Sequence, residues 1–248
     1  MKKLALVTGG MRRLGAVIAA RLAQDGYTLA LASHADTKPD AELQSALEAH
    51  AVDWVPFIAD LSDTAAPAKL IEDVSAHFGR GPDLLVNNAA MFGQDDWAHM
   101  DASSLEAHFR LNLFAPLLLS QVVVAKASGQ VAIVNIVDQR IVNPHRDQIS
   151  YTLSKQALAA SVRTMATAFG KAARVNAVAP GLVIETDDYA ADQSDRLAAM
   201  MPLGALPDPS GVADAVAYLA GAQHVTGQIL FVDGGANLKS FERDFLHL

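Results

Sequence analysis

Short apolar runs alternate with amphipathic stretches along this whole chain, and the first run opens into glycines. Residues 3–8 are apolar and branched enough for a parallel strand buried on both faces. Gly9, Gly10 and Gly15 follow, and residues 16–23 then carry a helical pattern. Strand, glycine turn and helix together place a helix N-terminus under an anion, with backbone N–H groups aimed at it. A tight turn without a ligand uses the same residues, so this segment alone constrains the fold more than the function.

The alternation continues without a linker. Strands are expected at residues 27–32, 52–59, 83–86, 130–137, 173–178 and 228–232. Helices are expected at 41–50, 65–78, on both sides of Asn112, over Ile149–Phe169 and at 209–220. Such an order means parallel strands joined by right-handed helical crossovers, an α/β doubly wound sheet. With no repeat and no Pro/Ser-rich hinge, residues 1–248 read as a single domain.

Composition narrows the partners. The net charge is −8 and no basic run exceeds two residues, which argues against nucleic acid and anionic membranes. The absence of cysteine removes disulfides, thiolate catalysis and zinc-thiolate sites, and no metal is expected. Lys2-Lys3 and the following apolar residues resemble a signal peptide, but Thr8-Gly9-Gly10 ends that run too early. The longest apolar stretch, residues 113–125, is too short to span a bilayer and contains Pro116, Ser120 and Gln121. A soluble, cytoplasmic protein is the expectation.

Chemistry enters with Ser150-Tyr151-Thr152-Leu153-Ser154-Lys155. Positions i and i+4 share a helical face, and an ammonium beside a phenol lowers its pKa from about 10. The expectation is a tyrosine able to exchange a proton near neutrality.

Several motifs stand in one order around that pair: Thr8-Gly9, Asp60-Leu61, Asn87-Asn88-Ala89, Asn112, Tyr151/Lys155, Pro180-Gly181 and Val232-Asp233-Gly234-Gly235. In that order the chain resembles the short-chain dehydrogenase/reductase family over nearly its whole length. The resemblance implies a Rossmann-like sheet ordered 3-2-1-4-5-6-7, hydride transfer with NAD(P) and a homotetramer. It assigns catalysis to Asn112, Tyr151 and Lys155. Gly9, Gly15, Asp60, Leu61, Asn88, Ala89, Ala90, Pro180 and Gly181 then fall to the cofactor, with Tyr151 and Lys155 also touching it. Ala157, Ala159 and Ala160 on the helix over Ile149–Phe169 would permit close contact with another helix.

Two departures from the family pattern sharpen the resemblance. Arg13 replaces a turn glycine in Thr8-Gly9-Gly10-Met11-Arg12-Arg13-Leu14-Gly15, and Asp138 stands where a serine is usual. Both replacements are similar to the pteridine reductases, including the bacterial dihydromonapterin-reductase type, with an Asp138, Tyr151 and Lys155 set. In that group an aromatic at the position of Phe92 sandwiches the pterin against nicotinamide, which makes Phe92, Arg13, Asp138 and Tyr151 the substrate residues. Two residues depart from the group: Ala35, where a basic residue is usual, and Val183, where serine is common.

An ionised Asp138 would repel the alkoxide that forms from a carbonyl. A C=N bond instead takes hydride on carbon and a proton on nitrogen, and a carboxyl in an apolar crevice can stay protonated and donate. Asp138 and Tyr151 are therefore expected to hold one proton jointly. A turn-stabilising role after the fifth strand is the competing reading of Asp138. Asn112 is expected to hold a water or backbone link behind Lys155.

Cofactor choice rests on residues 32–36. No acid occupies Ser33 or His34, where NAD selection usually places one. Arg12, Ser33 and His34 suit the 2′-phosphate of NADP, with Arg13 turned toward the pyrophosphate and Leu14 in the same turn, so NADPH is favoured over NAD despite Asp36 nearby.

Other segments carry weaker expectations. Phe92 could equally be a buried aromatic closing the strand, and His145 and Arg146 read chiefly as a solvated loop. Glu185, Asp187, Asp188 and Asp192 form an acidic run at the substrate-loop position. The tail at residues 241–248 is amphipathic enough to dock on another subunit, with no active-site contact expected. The leading expectation is an NADPH-dependent reductase of a dihydropterin. The alternatives are a carbonyl reductase of keto or oxoacyl substrates and a non-enzymatic nucleotide-sensing regulator.

Overall fold

Strand β1 (Leu4–Thr8) is buried along its entire length, and its two faces feed two different cores. Ala5 and Val7 pack with Ile18, Leu22, Val134 and Val216 on one side. Leu4 and Leu6 pack with Ile71, Leu119, Ile133 and Val162 on the other. Successive side chains on a strand point to opposite faces, so a run apolar on both faces, as over residues 4–7, must be covered twice. The computed structural model describes residues 2–184 and 192–248.

Seven parallel strands form one sheet in the order β3-β2-β1-β4-β5-β6-β7. The others are β2 (Thr28–Ser33), β3 (Trp54–Ile58), β4 (Leu84–Asn87), β5 (Val131–Ile136), β6 (Ala173–Pro180) and β7 (Ile229–Val232). Helices α1 (Arg13–Gln24) and α2 (Ala41–Ala49) cover the first face together with α8 (Pro209–Gly221). Helices α3 (Ala66–Phe78), α5 (Ala115–Lys126) and α6 (Ile149–Phe169) cover the second. Between them lie α4 (Ala102–Phe109) and α7 (Gln193–Met200). The expected doubly wound architecture and strand order are both present. Element ends differ from the sequence reading by one to three residues, and α7 was not foreseen.

Pro56 sits inside β3, where an amide would normally be needed. The bonds Leu29 N to Asp53 O and Ala59 N to Ser33 O place the odd-numbered residues of β3 toward β2. Pro56 therefore faces away from the sheet, and the ladder loses nothing.

The apolar stretch at 113–125 belongs to a longer helix than the sequence suggested. Helix α4 runs through a π-turn at Arg110–Phe114 into α5, giving a continuous helix of 25 residues over Ala102–Lys126. Its length and composition would suffice to cross a bilayer. Here it lies on the domain, with Ala115, Leu119 and Val123 in the core beside Ile71 and Leu85.

Candidate active site

At the C-terminal ends of β1, β2 and β4 the chain forms a crevice of about 430 Å³. Gly9 turns the chain with φ +62°, and a Cβ on Gly15 would stand 1.9 Å from the Gly9 carbonyl oxygen. Only glycine at both positions permits that approach. The N-cap of α1 is Arg12, whose side chain gives no capping bond, so the first turn's N–H groups remain available to a ligand. Thr8 fixes the opposite wall: its Oγ1 accepts from the Asn88 and Ala89 amides at 3.0 Å each. Asn88 Nδ2 donates back to the carbonyl oxygens of Thr8 and Gly9.

The crevice gathers Gly9, Arg12, Arg13, Leu14, Gly15, Ser33, His34, Asp60, Leu61, Asn88, Ala89 and Ala90. Arg12 lies 3.4 Å from Asp36, and His34 Nδ1 is 3.7 Å from Asp60. Ser33 Oγ donates to the Asp36 carbonyl oxygen, which holds that loop in place. A glycine cradle, a free helix N-terminus and a cationic rim fit a dinucleotide.

A second cavity, of about 300 Å³, adjoins the first, and Arg13 lines both. Phe92, Asp138 and Gly181 line it as well. Phe92 is 51% exposed and meets the Tyr151 ring edge-on at 4.8 Å, so it is not a buried strand cap. Pro180 is buried at the end of β6, and Gly181 follows so closely against Asp233 that a Cβ would lie 2.9 Å from the Asp233 Cα.

Tyr151 and Lys155 project from α6 toward the end of β5. Tyr151 Oη donates to Asp138 Oδ2 at 2.9 Å, and Lys155 Nζ donates to the Ile136 carbonyl oxygen at 2.8 Å. Burial first, and then Asp138, push the Tyr151 phenol well above its ordinary value, against the opposing pull of Arg140. That reverses the expectation of an acidified phenol, because removing the phenolate from water outweighs its cations. Burial also lowers Lys155 to about 8, with Asp138 working against the drop.

Asp138 is more constrained than expected. Its Oδ1 accepts from the Arg140 amide at 2.9 Å and from Arg140 Nε at 3.1 Å. Tyr151 donates to Oδ2, so both oxygens of Asp138 act as acceptors. The turn-stabilising reading also holds, since Asp138 caps the short 3-10 turn at Gln139–Ile141. Asn112, in the π-turn, donates to the Met91 carbonyl oxygen and to Ser154 Oγ and accepts from the Met91 amide. It ties the segment after β4 to α6.

Two more expectations fall. His145 is buried against Phe241, Phe245 and the Arg140 charge, and burial first, then Arg140, lower its pKa. The tail was not expected at the site, yet Asp244, Phe245 and Leu246 line the second cavity. Arg146 does remain exposed, paired with Glu242. Within the acidic run, Asp192 is exposed near Arg196, while Glu185, Asp187 and Asp188 lie outside the described residues. Sequence reasoning missed Gln94, Arg140, Leu182, Ile184 and the tail residues on the cavity wall. The phenylalanine spacing in the tail was the one available signal.

The sheet order, the glycine cradle and the Tyr151/Lys155 pair define a dinucleotide-dependent oxidoreductase scaffold. A family model described as Enoyl-(Acyl carrier protein) reductase matches residues 10–237, and the chain belongs to the short-chain dehydrogenase/reductase family of NAD(P)-dependent oxidoreductases. Among solved structures it is similar to FolM alternative dihydrofolate reductase 1 of Brucella canis, complexed with NADP. That match has 30% identity and a TM-score of 0.83, and covers 96% of this chain and 95% of that one. It is 31% identical to the (3R)-3-hydroxyacyl-CoA dehydrogenase of Mus musculus, over 94% of this chain and 95% of the relative. The 3-oxoacyl-[acyl-carrier-protein] reductase FabG of Staphylococcus aureus is 29% identical, over 95% of this chain and 98% of the relative.

Proposed function

We propose that the protein is an NADPH-dependent reductase of a dihydropterin, working through Asp138, Tyr151, Lys155 and Asn112. The observation that carries this reading is the second cavity, where Phe92, Arg13 and Asp138 meet beside the dinucleotide crevice. Phe92 offers an exposed face for an aromatic ring, Arg13 a cation and Asp138 an acceptor for ring N–H groups. The likeness to FolM in complex with NADP supports both the substrate class and the cofactor.

Gly9, Gly15 and the α1 N-terminus would hold the pyrophosphate, and Arg12, Ser33 and His34 the 2′-phosphate. Asp60 and Leu61 would meet the adenine, Asn88, Ala89 and Ala90 the nicotinamide riboside, and Pro180-Gly181 the nicotinamide. Bound NADPH supplies the hydride. Lys155 and Tyr151 orient the ribose, and Phe92 holds the substrate ring flat. Tyr151 keeps its proton through neutral pH and delivers it to the ring nitrogen, while Asp138 steadies the phenol. Asn112 keeps the wall rigid by joining Met91 to Ser154.

A carbonyl reductase of oxoacyl substrates is the second reading, favoured by the FabG and hydroxyacyl-CoA dehydrogenase relatives. Steady-state turnover with NADPH on dihydrobiopterin, dihydrofolate and β-ketoesters separates the two. Pterin turnover supports the first reading. Ketone reduction without pterin turnover reverses the order, and tight NADPH binding with no turnover would indicate a nucleotide sensor. The expected homotetramer is checked by light scattering.

A further inference from the structure

Arg140 is an unusual cation for a cavity wall, because its side chain is only 5% exposed and Asp244, from the far end of the chain, is 5% exposed beside it. Arg140 Nη2 donates to Asp244 Oδ2 at 2.8 Å and Nε to Asp138 Oδ1 at 3.1 Å, while Nη1 donates to Gln148 Oε1. The guanidinium carbon lies 5.6 Å from the Phe92 ring centre and 5.4 Å from that of Tyr151. A planar fork held at three points cannot swing away, so it fixes the carboxylate it grips.

We propose that the C-terminal tail completes the substrate cavity, with Asp244 and Arg140 as positioning residues that hold Asp138 as a fixed acceptor for a ring N–H donor. The inference rests on the pterin reading and adds how the ring is held, with an N–H edge toward Asp138. Asp138 already takes three hydrogen bonds, two on Oδ1 and one on Oδ2. Carboxylate oxygens offer about four lone-pair positions, so the remaining capacity on the cavity side suits a donor and repels a carbonyl oxygen.

The tail is anchored independently of any ligand. The Asp244 amide donates to both Asp147 carboxylate oxygens at 3.0 Å. Gln193 Nε2 donates to the carbonyl oxygens of Phe245 and Leu246. Phe241 and Phe245 pack with Leu197 and Met201. Phe245 and Leu246 thereby stand as a fixed apolar wall of a cavity of about 300 Å³, within the range of small-ligand sites.

The test compares full-length wild type with Asp244→Asn, Arg140→Lys and Arg140→Gln, all loaded with NADPH. Turnover of dihydrobiopterin and of ethyl acetoacetate is measured beside the NADPH dissociation constant and the melting temperature. Dihydropterin kcat/KM is expected to fall about tenfold in Asp244→Asn and about a hundredfold in Arg140→Gln, with Arg140→Lys between them. NADPH affinity should stay within twofold, and ketoester turnover should hold or rise. Equal losses on both substrates would show a structural role alone, and an unchanged dihydropterin rate would also overturn the proposal. If Arg140→Gln does not fold, Asp244→Asn and Arg140→Lys carry the comparison. A wild type that reduces only the ketoester sinks the pterin reading separately. The proposal is then read from equilibrium binding of methotrexate, a diaminopteridine, to the NADPH-loaded protein. A tenfold weakening in Asp244→Asn supports it, and unchanged binding ends it.

Discussion

The two cavities that share Arg13 are built by opposite means. The dinucleotide crevice is mostly backbone: a contiguous turn from Thr8 to Gly15, locked to Asn88 and Ala89, with its charges on the outside. Arg12, 70% exposed, is paired only with the exposed Asp36 at 3.4 Å. The second cavity is mostly side chain, and beyond the shared Arg13 its charges are already paired and out of water, with Asp244 brought from 104 residues away. Asp138, Arg140 and Asp244 bond before any substrate arrives. Exposed groups are cheap to hold and weak until a ligand comes, whereas buried networks are fixed in advance and intolerant of change. Substitutions at the crevice should therefore act gradually, and those at the second cavity steeply.

The largest expected effect tests the steep side. Tyr151→Phe should lower kcat roughly a thousandfold, within the usual range for losing a general acid, while NADPH binding persists. Fluorescence titration beside steady-state kinetics checks both halves, and a loss below tenfold would dissolve the contrast.

Lys155→Met comes next and is read from stability. A lysine at about 8 when folded and 10.5 when unfolded leaves the unfolded chain with more bound protons between those values. Wild-type stability should therefore rise relative to Lys155→Met across pH 8 to 10.5, by roughly 3 kcal/mol. Below pH 8 the difference should be flat. Denaturant melts at several pH values would reveal it, and parallel curves would contradict a buried ammonium.

On the gradual side, Arg12→Ala should raise the KM for NADPH about tenfold and leave that for NADH nearly unchanged, the scale of one charge-assisted contact. Equal effects on both coenzymes would mean Arg12 does not read the 2′-phosphate. The smallest effect belongs to Asp36→Asn. Removing an exposed partner at 3.4 Å should lower the KM for NADPH only two- to threefold, as exposed pairs contribute little. A change as large as that of Arg12→Ala would mean the crevice is as tightly coupled as its neighbour.

The same contrast explains what could be read from the sequence. The strands and the glycine turn followed from local pattern, because a glycine at Gly15 or a strand at Leu4–Thr8 carries its constraint in itself, while the strand order and the crevice wall came from the family resemblance. Asp138 was found by its offset from Tyr151, but its acceptor role was not, since that depends on Arg140. Arg140 and Asp244 are 104 residues apart, and no periodicity links them. Nor could the upward shift of Tyr151 be foreseen. Its direction is decided by how completely α6 and the end of β5 exclude water, which is a property of packing.

Pro56 has a consequence beyond β3 itself. It faces the open margin of the sheet and offers no N–H there, so a passing strand finds a broken row of donors. Natural sheets blunt their borders in this way against stacking with stray chains. Replacing Pro56 with valine would restore that row, and the gain in local pairing would come with a greater tendency to aggregate in concentrated solution.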